Sequence, residues 1–533
     1  MKFQNVVFGG GANTKIADHL LEATQAVECL NIDTERGSIY PLDGWTLVDA
    51  IDGRHATDVG GLVVSNIDEA DDRSYVYFAN RTYYTNGTFG SYGLMRINSA
   101  LTSVNATAPT VTVYGTLTPT ATTDGLLNGN YAYRYTVIDS EGIESAPSPI
   151  VYISAVADKA IDISITADTV NETVSKRRIY RTGGSNPTFN LIAEIDDLVA
   201  PYTFTDNTSD INVSRTELTT FSDYAPPQDI TNLVENNGTF FASVGNRVHF
   251  SRSGQPEYWS GLDFIILHAE CTGLGVFRDS IVAFTENDAY LISGYDRDTI
   301  TLERLPFQEG CKNHHNIAPI GDLLMWTSNN GVCAYNGSSI DILTRNIFDW
   351  KNSSLVNNET FDSFESTFDS NLGSNIVYAA GVRGKYYGVM TDSILVVDTN
   401  NGIRMSTIDI DRIVSLFYNG TENKIQAIAY DETEASYISY AFDTDTKIPM
   451  LAKWKSGRIM GEEGYGIIKD YRKISFDKAP KYVRVYIDGT KRLFVENQKE
   501  FHLPSGCIGH SLQFELGTYK EIRSMKVQYG VQG

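Results

Sequence analysis

The chain has 533 residues, of which 42% are hydrophobic and 11% aromatic, with 31 Tyr and 24 Phe. This length exceeds one ordinary core, so we expect two or three folded domains rich in β-structure. The formal charge of −23 comes from 43 Lys and Arg against 66 Asp and Glu. It argues against a general nucleic-acid binder, because gripping a phosphate backbone requires a basic surface.

The cysteines are five in number, widely spaced and without a CxxC pair: Cys29, Cys271, Cys311, Cys333 and Cys507. This pattern argues against both a disulfide framework and a zinc site, so we expect buried free thiols in a reducing cytoplasm. We expect no signal peptide, because glycines interrupt the first apolar residues. We also expect no membrane helix, because no stretch approaches the ~18 apolar residues that one needs.

Residues 1–104 contain an extended segment that leads into the first hairpin strands. The runs 75–79 and 82–85 alternate around an Asn80-Arg81 turn, which is typical of a β-hairpin. The clearest helical pattern is the short stretch 17–24, so helix is a minor component.

Residues 105–222 differ in sequence pattern from the residues on either side and resemble a fibronectin type III sandwich. Tyr131, Tyr133, Tyr135 and Val137 alternate along one strand and share one face, as in the third strand of that fold. A linker containing Pro226-Pro227 follows. Hairpins occur on both sides of this region, so we predict a sandwich inserted into a β-propeller; a tandem arrangement is the alternative.

Residues 223–475 repeat short alternating strands joined by tight turns such as Asn336-Gly337. Hairpins repeated every few tens of residues predict the main part of a β-propeller. Residues 476–533 form further hairpins, enough for a small C-terminal β lobe. The last sixty residues carry nine Lys or Arg against six Asp or Glu, so the acidity lies elsewhere. The predicted fold is therefore all-β: a β-propeller interrupted by an immunoglobulin-like or fibronectin III-like sandwich, plus the lobe.

No residue pattern in the sequence identifies a catalytic or binding site. The pair His314-His315 follows Gly310-Cys311 and is better interpreted as a polar loop than as a metal site. Aspartates near turn ends, among them Asp398, suit Asx turns better than calcium binding. No phosphate loop or nucleophile elbow has the required spacing. We therefore expect no catalytic residues, no cofactor, no metal and no enzyme activity, although a glycosidase carboxylate pair is always conceivable in so acidic a chain.

Three tryptophans of the central region lie beside turns and apolar strands: Trp259, Trp326 and Trp350. Trp259 follows Pro256-Glu257-Tyr258 and could stack on a sugar. Burial between two propeller blades is the interpretation we favour for all three.

The order of several segments resembles the β-propeller nozzle or hub proteins of short-tailed bacteriophages (tail tubular protein B-like). These segments are Phe250–Trp259, the Leu274-Gly275 turn, Gln308–Cys311, and Gly321–Leu324 with Asn329–Gly331. We take Trp259, Gly310, Trp326 and Gly331 as the structural landmarks. The resemblance continues weakly into the C-terminal lobe and leaves the inserted sandwich as an accessory domain.

This resemblance implies a structural virion protein that assembles in the bacterial host cytoplasm. Six copies would form a ring below the tail adaptor ring, retain the packaged genome and conduct double-stranded DNA during ejection without binding it tightly. Tail fibres or spikes and the host envelope are further expected partners. The competing hypothesis is a receptor- or glycan-binding tail protein, commonly a trimer. The residues that line the DNA channel or form its gate are unknown from the sequence.

Overall fold

The computed structural model describes residues 2–6, 8, 25–33, 38–42, 46–51, 55–59, 62–66, 74–85, 94–97, 103–196, 199–220, 225–345, 378–389, 393–400, 403–409, 413–420, 423–431, 436–441, 449–460 and 467–531. The helical pattern at 17–24 and Trp350 lie outside the described residues.

The first half of the chain supplies two groups of strands. The strands before the insertion are β1 (Lys2–Val6), β2 (Ala26–Leu30), β3 (Thr46–Ile51), β4 (His55–Val59), β5 (Leu62–Asn66), β6 (Tyr75–Phe78), β7 (Arg81–Thr85), β8 (Leu94–Ile97) and β9 (Ser103–Asn105). The insertion contains β10 (Val111–Val113), β11 (Leu117–Asp139), β12 (Val151–Ile165), β13 (Thr169–Val170), β14 (Val174–Gly183), β15 (Asn186–Ile195) and β16 (Tyr202–Asp206), and a 3₁₀ helix at Asp210–Asn212.

The second half continues with short strands and one 3₁₀ helix at His314–Asn316. The strands up to that helix and just beyond it are β17 (Thr231–Asn236), β18 (Thr239–Val244), β19 (Arg247–Phe250), β20 (Phe264–Ile266), β21 (Gly273–Phe277), β22 (Ser280–Phe284), β23 (Ala289–Ser293), β24 (Thr301–Arg304), β25 (Ala318–Ile320), β26 (Leu323–Ser328), β27 (Gly331–Tyr335) and β28 (Ile340–Ile342). The remaining strands are β29 (Ala379–Val382), β30 (Lys385–Val389), β31 (Ser393–Asp398), β32 (Arg404–Asp409), β33 (Ile413–Asn419), β34 (Lys424–Asp431), β35 (Ser436–Ala441), β36 (Ala452–Ser456), β37 (Lys469–Phe476), β38 (Tyr482–Ile487), β39 (Thr490–Glu496), β40 (Glu500–His502), β41 (Ile508–Gly509), β42 (Leu512–Thr518) and β43 (Met525–Val531).

Four-stranded antiparallel meanders recur along the described residues and form the blades of a propeller. Blades 1 to 5 are β6–β9, β17–β20, β21–β24, β25–β28 and β29–β32. Blade 6 combines β33–β35 with β3, which pairs with β35. The N-terminal part of the chain thus completes a blade made mainly from residues beyond 400, the closure that ties a propeller ring.

The first strands of successive blades contact one another in a ring. β6 contacts β17, which contacts β21, and the contacts continue through β25 and β29 to β33. The hairpin β4–β5 lies between β33 and β6 and closes the circle. This order establishes the propeller predicted from the sequence, and the insertion leaves the ring between blades 1 and 2.

Apolar clusters fill the spaces between neighbouring blades. One joins blades 1 and 2, the next blades 2 and 3, and a third blades 3 and 4. Blades 5 and 6 share a further cluster. These clusters form because side chains alternate between the two faces of each strand, so a blade packs one face on the blade before it and the other on the blade after it.

The insertion is a sandwich of a five-stranded sheet, in the order β15-β14-β11-β12-β16, and the small pair β10-β13. Tyr131, Tyr133, Tyr135 and Val137 are all buried in its core, which confirms the shared face predicted for that strand. Arg177 and Asp168 form a buried two-point ion pair within it, with nitrogen–oxygen distances of 3.0 and 2.8 Å.

The C-terminal lobe is built from both ends of the chain. One sheet contains β1, β43, β37, β40 and β41; the other runs β2-β36-β42-β38-β39. β2 also pairs in parallel with β32, so this second sheet and blade 5 form one nine-stranded sheet. The lobe therefore includes strands outside residues 476–533, where the sequence pattern had located it.

Candidate functional site

The inner strands of the propeller surround a central cavity of about 550 Å³. Its lining is mostly apolar and includes glycine and alanine positions on β21 and β29, with Glu235 and several aromatic side chains supplying polar groups. Tyr77 and Tyr418, which also line it, are 42% and 38% exposed. The cavity can therefore offer stacking surfaces and a few hydrogen bonds to a small molecule.

The pair His314-His315 lies on this cavity in a 3₁₀ turn. The Asn313 side chain begins the turn by accepting a hydrogen bond from the His315 amide at 2.9 Å. Nδ1 of His314 accepts from the Leu274 amide at 3.3 Å, and the His315 ring stacks on Tyr378 with centroids 4.8 Å apart. The histidines thus connect blade 3 with the start of blade 5.

Three of the four sequence landmarks, Gly310, Trp326 and Gly331, lie where blades 3 and 4 join. The Glu309 carboxylate accepts hydrogen bonds from Ser328 Oγ at 2.7 Å and from Asn330 Nδ2 at 3.0 Å. The Gly310 carbonyl accepts one from the Trp326 indole at 3.2 Å. Gly331 ends the same hairpin turn with a φ of +140°, a conformation that favours glycine. The segment Gln308–Cys311 therefore caps the turn between β26 and β27.

The predicted burial of two tryptophans is confirmed. Trp259 is 2% exposed and lies in the apolar cluster between blades 1 and 2. Its indole Nε1 donates to the Pro256 carbonyl at 2.6 Å. Trp326 is fully buried between blades 3 and 4 and packs on Phe284. Neither ring is available to stack on a sugar.

Beside Trp259 lies a buried carboxyl group, that of Glu257, which the sequence pattern did not predict. The Glu257 carboxylate accepts a hydrogen bond from the Tyr83 hydroxyl at 2.7 Å and lies 3.5 Å from Arg96 Nη1. Burial raises the pKa of Glu257, although Tyr83 and Arg96 oppose the rise. Burial and the nearby Glu257 charge raise the pKa of Tyr83 as well. Tyr83, Arg96 and Glu257 together join β7 and β8 of blade 1 to the segment after β19. The sequence gives no sign of this contact, because Tyr83 and Glu257 are 174 positions apart.

The inserted sandwich contacts the propeller through one turn and one extended segment. The carbonyl oxygens of Glu141 and Glu144 accept hydrogen bonds from Arg81 Nη2 and the Tyr258 hydroxyl. Thr219 accepts two more, from Arg252 at 2.6 Å and from Gln255 at 2.5 Å. These contacts fix the end of β11 against blades 1 and 2, so the insertion has a defined seat on the ring.

All five cysteines are buried free thiols, as the sequence predicted. Burial raises the pKa of Cys271 to about 11 and that of Cys311 to about 12. These thiols are therefore protonated near neutral pH and are poor nucleophiles.

Within the part of the chain that the structure describes, no group of three or more His, Cys, Asp or Glu side chains could hold a metal ion. Asp398 accepts a hydrogen bond from the Asn400 amide at 2.9 Å, the Asx turn expected of it. Among the same residues no helix is long and apolar enough to cross a membrane.

Comparison with protein-family models and with curated proteins gives no match. Solved structures give distant similarities. Kluyvelomyces marxianus Hsv2 is 10% identical, with a TM-score of 0.26, over 57% of this chain and 91% of that one. AztD from Citrobacter koseri is 11% identical, with a TM-score of 0.23, over 73% and 98%. Chaetomium thermophilum Raptor is 12% identical, with a TM-score of 0.25, over 64% and 28%. The propeller itself is defined by the order of its sheets and by the ring of inner strands.

Proposed function

We propose that this chain is a structural virion protein of a short-tailed bacteriophage, a nozzle or hub subunit at the distal end of the tail. Six copies form a ring below the tail adaptor ring, retain the packaged genome and conduct DNA during ejection. The family resemblance of the sequence suggests this role. The observation that carries it furthest is the nine-stranded sheet shared by blade 5 and the C-terminal lobe.

That sheet makes the propeller and the lobe one hydrogen-bonded body. β2 pairs with β32 at one position, Leu30 with Thr407, and with β36 at four positions, so the ring and the lobe meet within one sheet. β1 and β43 pair along five residues, which ties both ends of the chain together. A subunit that withstands the pressure of a packaged genome needs such continuity.

The central cavity of the propeller is far too small to carry duplex DNA. Spread along one helical turn of about 34 Å, its volume of about 550 Å³ gives a cross-section of only about 16 Å². In the proposed assembly the genome therefore passes between copies, along the axis of the ring, and not through a propeller.

The charge of the chain suits a channel wall that does not hold DNA. Six copies at −23 each carry a formal charge of −138. Duplex DNA carries one charge per ~1.7 Å, so a basic wall would bind it by counterion release and slow ejection. An acidic wall repels it, and screening over ~8 Å at physiological salt confines this repulsion to the channel surface. We expect a lumen lined by Asp, Glu, Asn, Ser and Thr, with propeller loops forming the constriction that retains the genome.

The mass of the assembled species tests the proposal. Sedimentation velocity and electron microscopy of the purified chain, alone and with the tail adaptor, should give a sixfold ring on the tail axis with an acidic lumen. A trimer that binds host cells or surface polysaccharide would favour the receptor- or glycan-binding alternative. A basic lumen, or a virion without a sixfold ring of this chain, would contradict the proposal.

A structural subunit needs no catalytic activity, and we propose that this chain has none. Incubation with host-envelope polysaccharide, followed by size analysis of the polysaccharide, should show unchanged chain length. Shortened chains would identify a glycosidase instead.

A further inference from the structure

The outer face of the lobe sheet concentrates cations and aromatic rings. We call it the basic face and define it by Lys455, Lys481, Tyr482, Arg484, Tyr486, Lys491, Phe494 and Tyr519. One exposed carboxylate, Glu496, lies at its edge, opposite Tyr482. The strands β36, β42, β38 and β39 carry most of it, and their other side chains, such as Val483 and Phe514, fill the lobe core. Phe494 and Tyr519 are 46% and 43% exposed, so the face presents apolar rings to solvent.

The basic face is held rigid from below by one buried carboxylate. Glu515 is 1% exposed and accepts hydrogen bonds from Arg484 at 2.8 Å and from the hydroxyls of Tyr482 and Tyr486 at 3.2 and 3.3 Å. The Tyr482 ring lies over Gly517, where a Cβ would come within 2.2 Å of it. Because these side chains are already ordered, a partner that docks on them loses little conformational entropy.

Cations alternate with rings across this surface. The Arg484 guanidinium lies 5.3 Å from the Tyr482 centroid and 5.9 Å from that of Phe494. Lys491 lies 5.5 Å from the Phe494 centroid, and Lys481 lies 4.9 Å from that of Tyr519. Arginine, tyrosine and phenylalanine are enriched at the centres of protein–protein interfaces, and charged residues such as lysine are typical of the rim. The basic face has this composition.

The charge of this face is opposite to that of the chain as a whole. Residues 474–533 hold nine Lys or Arg and six Asp or Glu, whereas the full chain has a formal charge of −23. Residues 1–473 therefore carry a formal charge of −26 (−23 − 3), and acidic surfaces formed by them would attract a basic face by long-range electrostatics.

We propose that the basic face docks on an acidic surface of a second copy of this chain, as the heterologous contact that closes the ring; this rests on the proposed function. Symmetric pairing of two basic faces is disfavoured, because it would bring the cations of both copies together. A contact between two different surfaces avoids this repulsion, and head-to-tail contacts of this kind generate rings when the rotation closes.

The test compares charge-reversal variants with equal net charge. Lys481→Glu/Lys491→Glu reverses two exposed cations of the basic face. Lys499→Glu/Lys526→Glu is the matched control; both lysines are exposed, Lys499 just before β40 and Lys526 on β43 of the other lobe sheet. Phe494→Ala removes the exposed ring without changing charge. Sedimentation velocity over a concentration series then measures self-association from about 0.1 to 1 M salt, across which the screening length falls from about 10 to about 3 Å.

We expect the wild type and the control pair to assemble equally, and Lys481→Glu/Lys491→Glu to lower the association constant at least ~100-fold, because like-charge contacts cost several kcal/mol. Salt should weaken wild-type assembly, and Phe494→Ala should weaken it at every salt concentration. Circular dichroism confirms that each variant is folded.

A ring that forms equally well in the Lys481→Glu/Lys491→Glu variant would overturn this inference and leave the nozzle proposal standing. A wild type that assembles by this face, but in a particle with no sixfold tail ring, would preserve the contact and overturn the nozzle. A wild type that stays monomeric at its highest soluble concentration and with the adaptor would overturn both. Fluorescence anisotropy with labelled single-stranded and duplex DNA tests the remaining alternative. If the wild type binds DNA and the Lys481→Glu/Lys491→Glu variant does not, the face is a nucleic-acid site and the inference is wrong.

Discussion

The carbonyl oxygen of Gly310 accepts a hydrogen bond from the indole Nε1 of Trp326 at 3.2 Å, across the boundary between blades 3 and 4. The next residue, Cys311, donates its amide to the Thr285 carbonyl of blade 3 at 3.0 Å. A single loop thus holds the end of one blade and the buried tryptophan of the next. Since the seam between these blades depends on this loop, the backbone at Gly310 has little freedom to move.

Replacing Gly310 by alanine should destabilise the propeller. A Cβ at this position would lie 2.2 Å from the Thr285 carbonyl oxygen and 2.4 Å from backbone atoms of Glu286, and neither can move without disturbing the blade. We expect a loss of about 1–3 kcal/mol in unfolding free energy. Gly261→Ala is the control, because nothing lies within 4 Å of its Cβ. Chemical denaturation of both variants measures the difference, and equal midpoints would refute this account of the loop.

Replacing Trp259 by alanine should cost about 3–5 kcal/mol, because a large cavity would open between blades 1 and 2. Trp259→Phe should destabilise the protein less than Trp259→Ala, because phenylalanine keeps most of the apolar volume. Its remaining cost includes the lost hydrogen bond to the Pro256 carbonyl. Melting temperatures, together with a host-cell adhesion assay, check both variants. A Trp259→Ala protein with normal melting but lost adhesion would point to a glycan-binding role.

The sequence pattern predicted those features that depend on local spacing. The alternation from Tyr131 to Val137 fixed the buried face of β11, and the surroundings of Trp259 indicated its burial. Long-range pairing left no such signal. A period-2 pattern identifies a strand but not its partner, so nothing in residues 2–6 indicates that they pair with residues 525–529. The basic face was visible only in part: β38 and β39 form a hairpin of consecutive residues, whereas Lys455 on β36 and Glu515 on β42 join it only in the folded sheet.

Weakening the contacts between the sandwich and the propeller should make the linkers of the sandwich easier to cleave by protease. We expect subtilisin to cut the wild type near residues 100–108 and 222–230. The double variant Arg81→Ala/Tyr258→Phe removes two hydrogen bonds to the turn after β11 and should be cut faster at both places. Lys176→Ala, which breaks only a surface ion pair with Glu194 inside the sandwich, is the control. Equal cleavage rates for the two variants, or cleavage confined to other regions, would contradict the proposed seat and boundaries.

The buried Glu257 should make the propeller less stable as the pH rises. Burial raises the pKa of this carboxyl above its ordinary value of 4.5, so the folded state binds its proton more tightly than the unfolded state does. The contribution of Glu257 to stability is then fully present below pH 4.5 and is lost as the pH rises through the folded pKa. In this window the unfolding free energy of the wild type, relative to Glu257→Gln, should fall by up to about 1.4 kcal/mol per pH unit.

Urea denaturation of the wild type and Glu257→Gln at a series of pH values measures this difference directly. The glutamine retains an acceptor for the Tyr83 hydroxyl but cannot ionise, so the difference between the two proteins isolates the titration of Glu257. Glu496→Gln, on the exposed strand β39, gives the background effect of a lost surface charge. A difference that stays constant with pH, or that grows in favour of the wild type as the pH rises, would mean that Arg96 and Tyr83 stabilise the ionised carboxylate more than burial disfavours it.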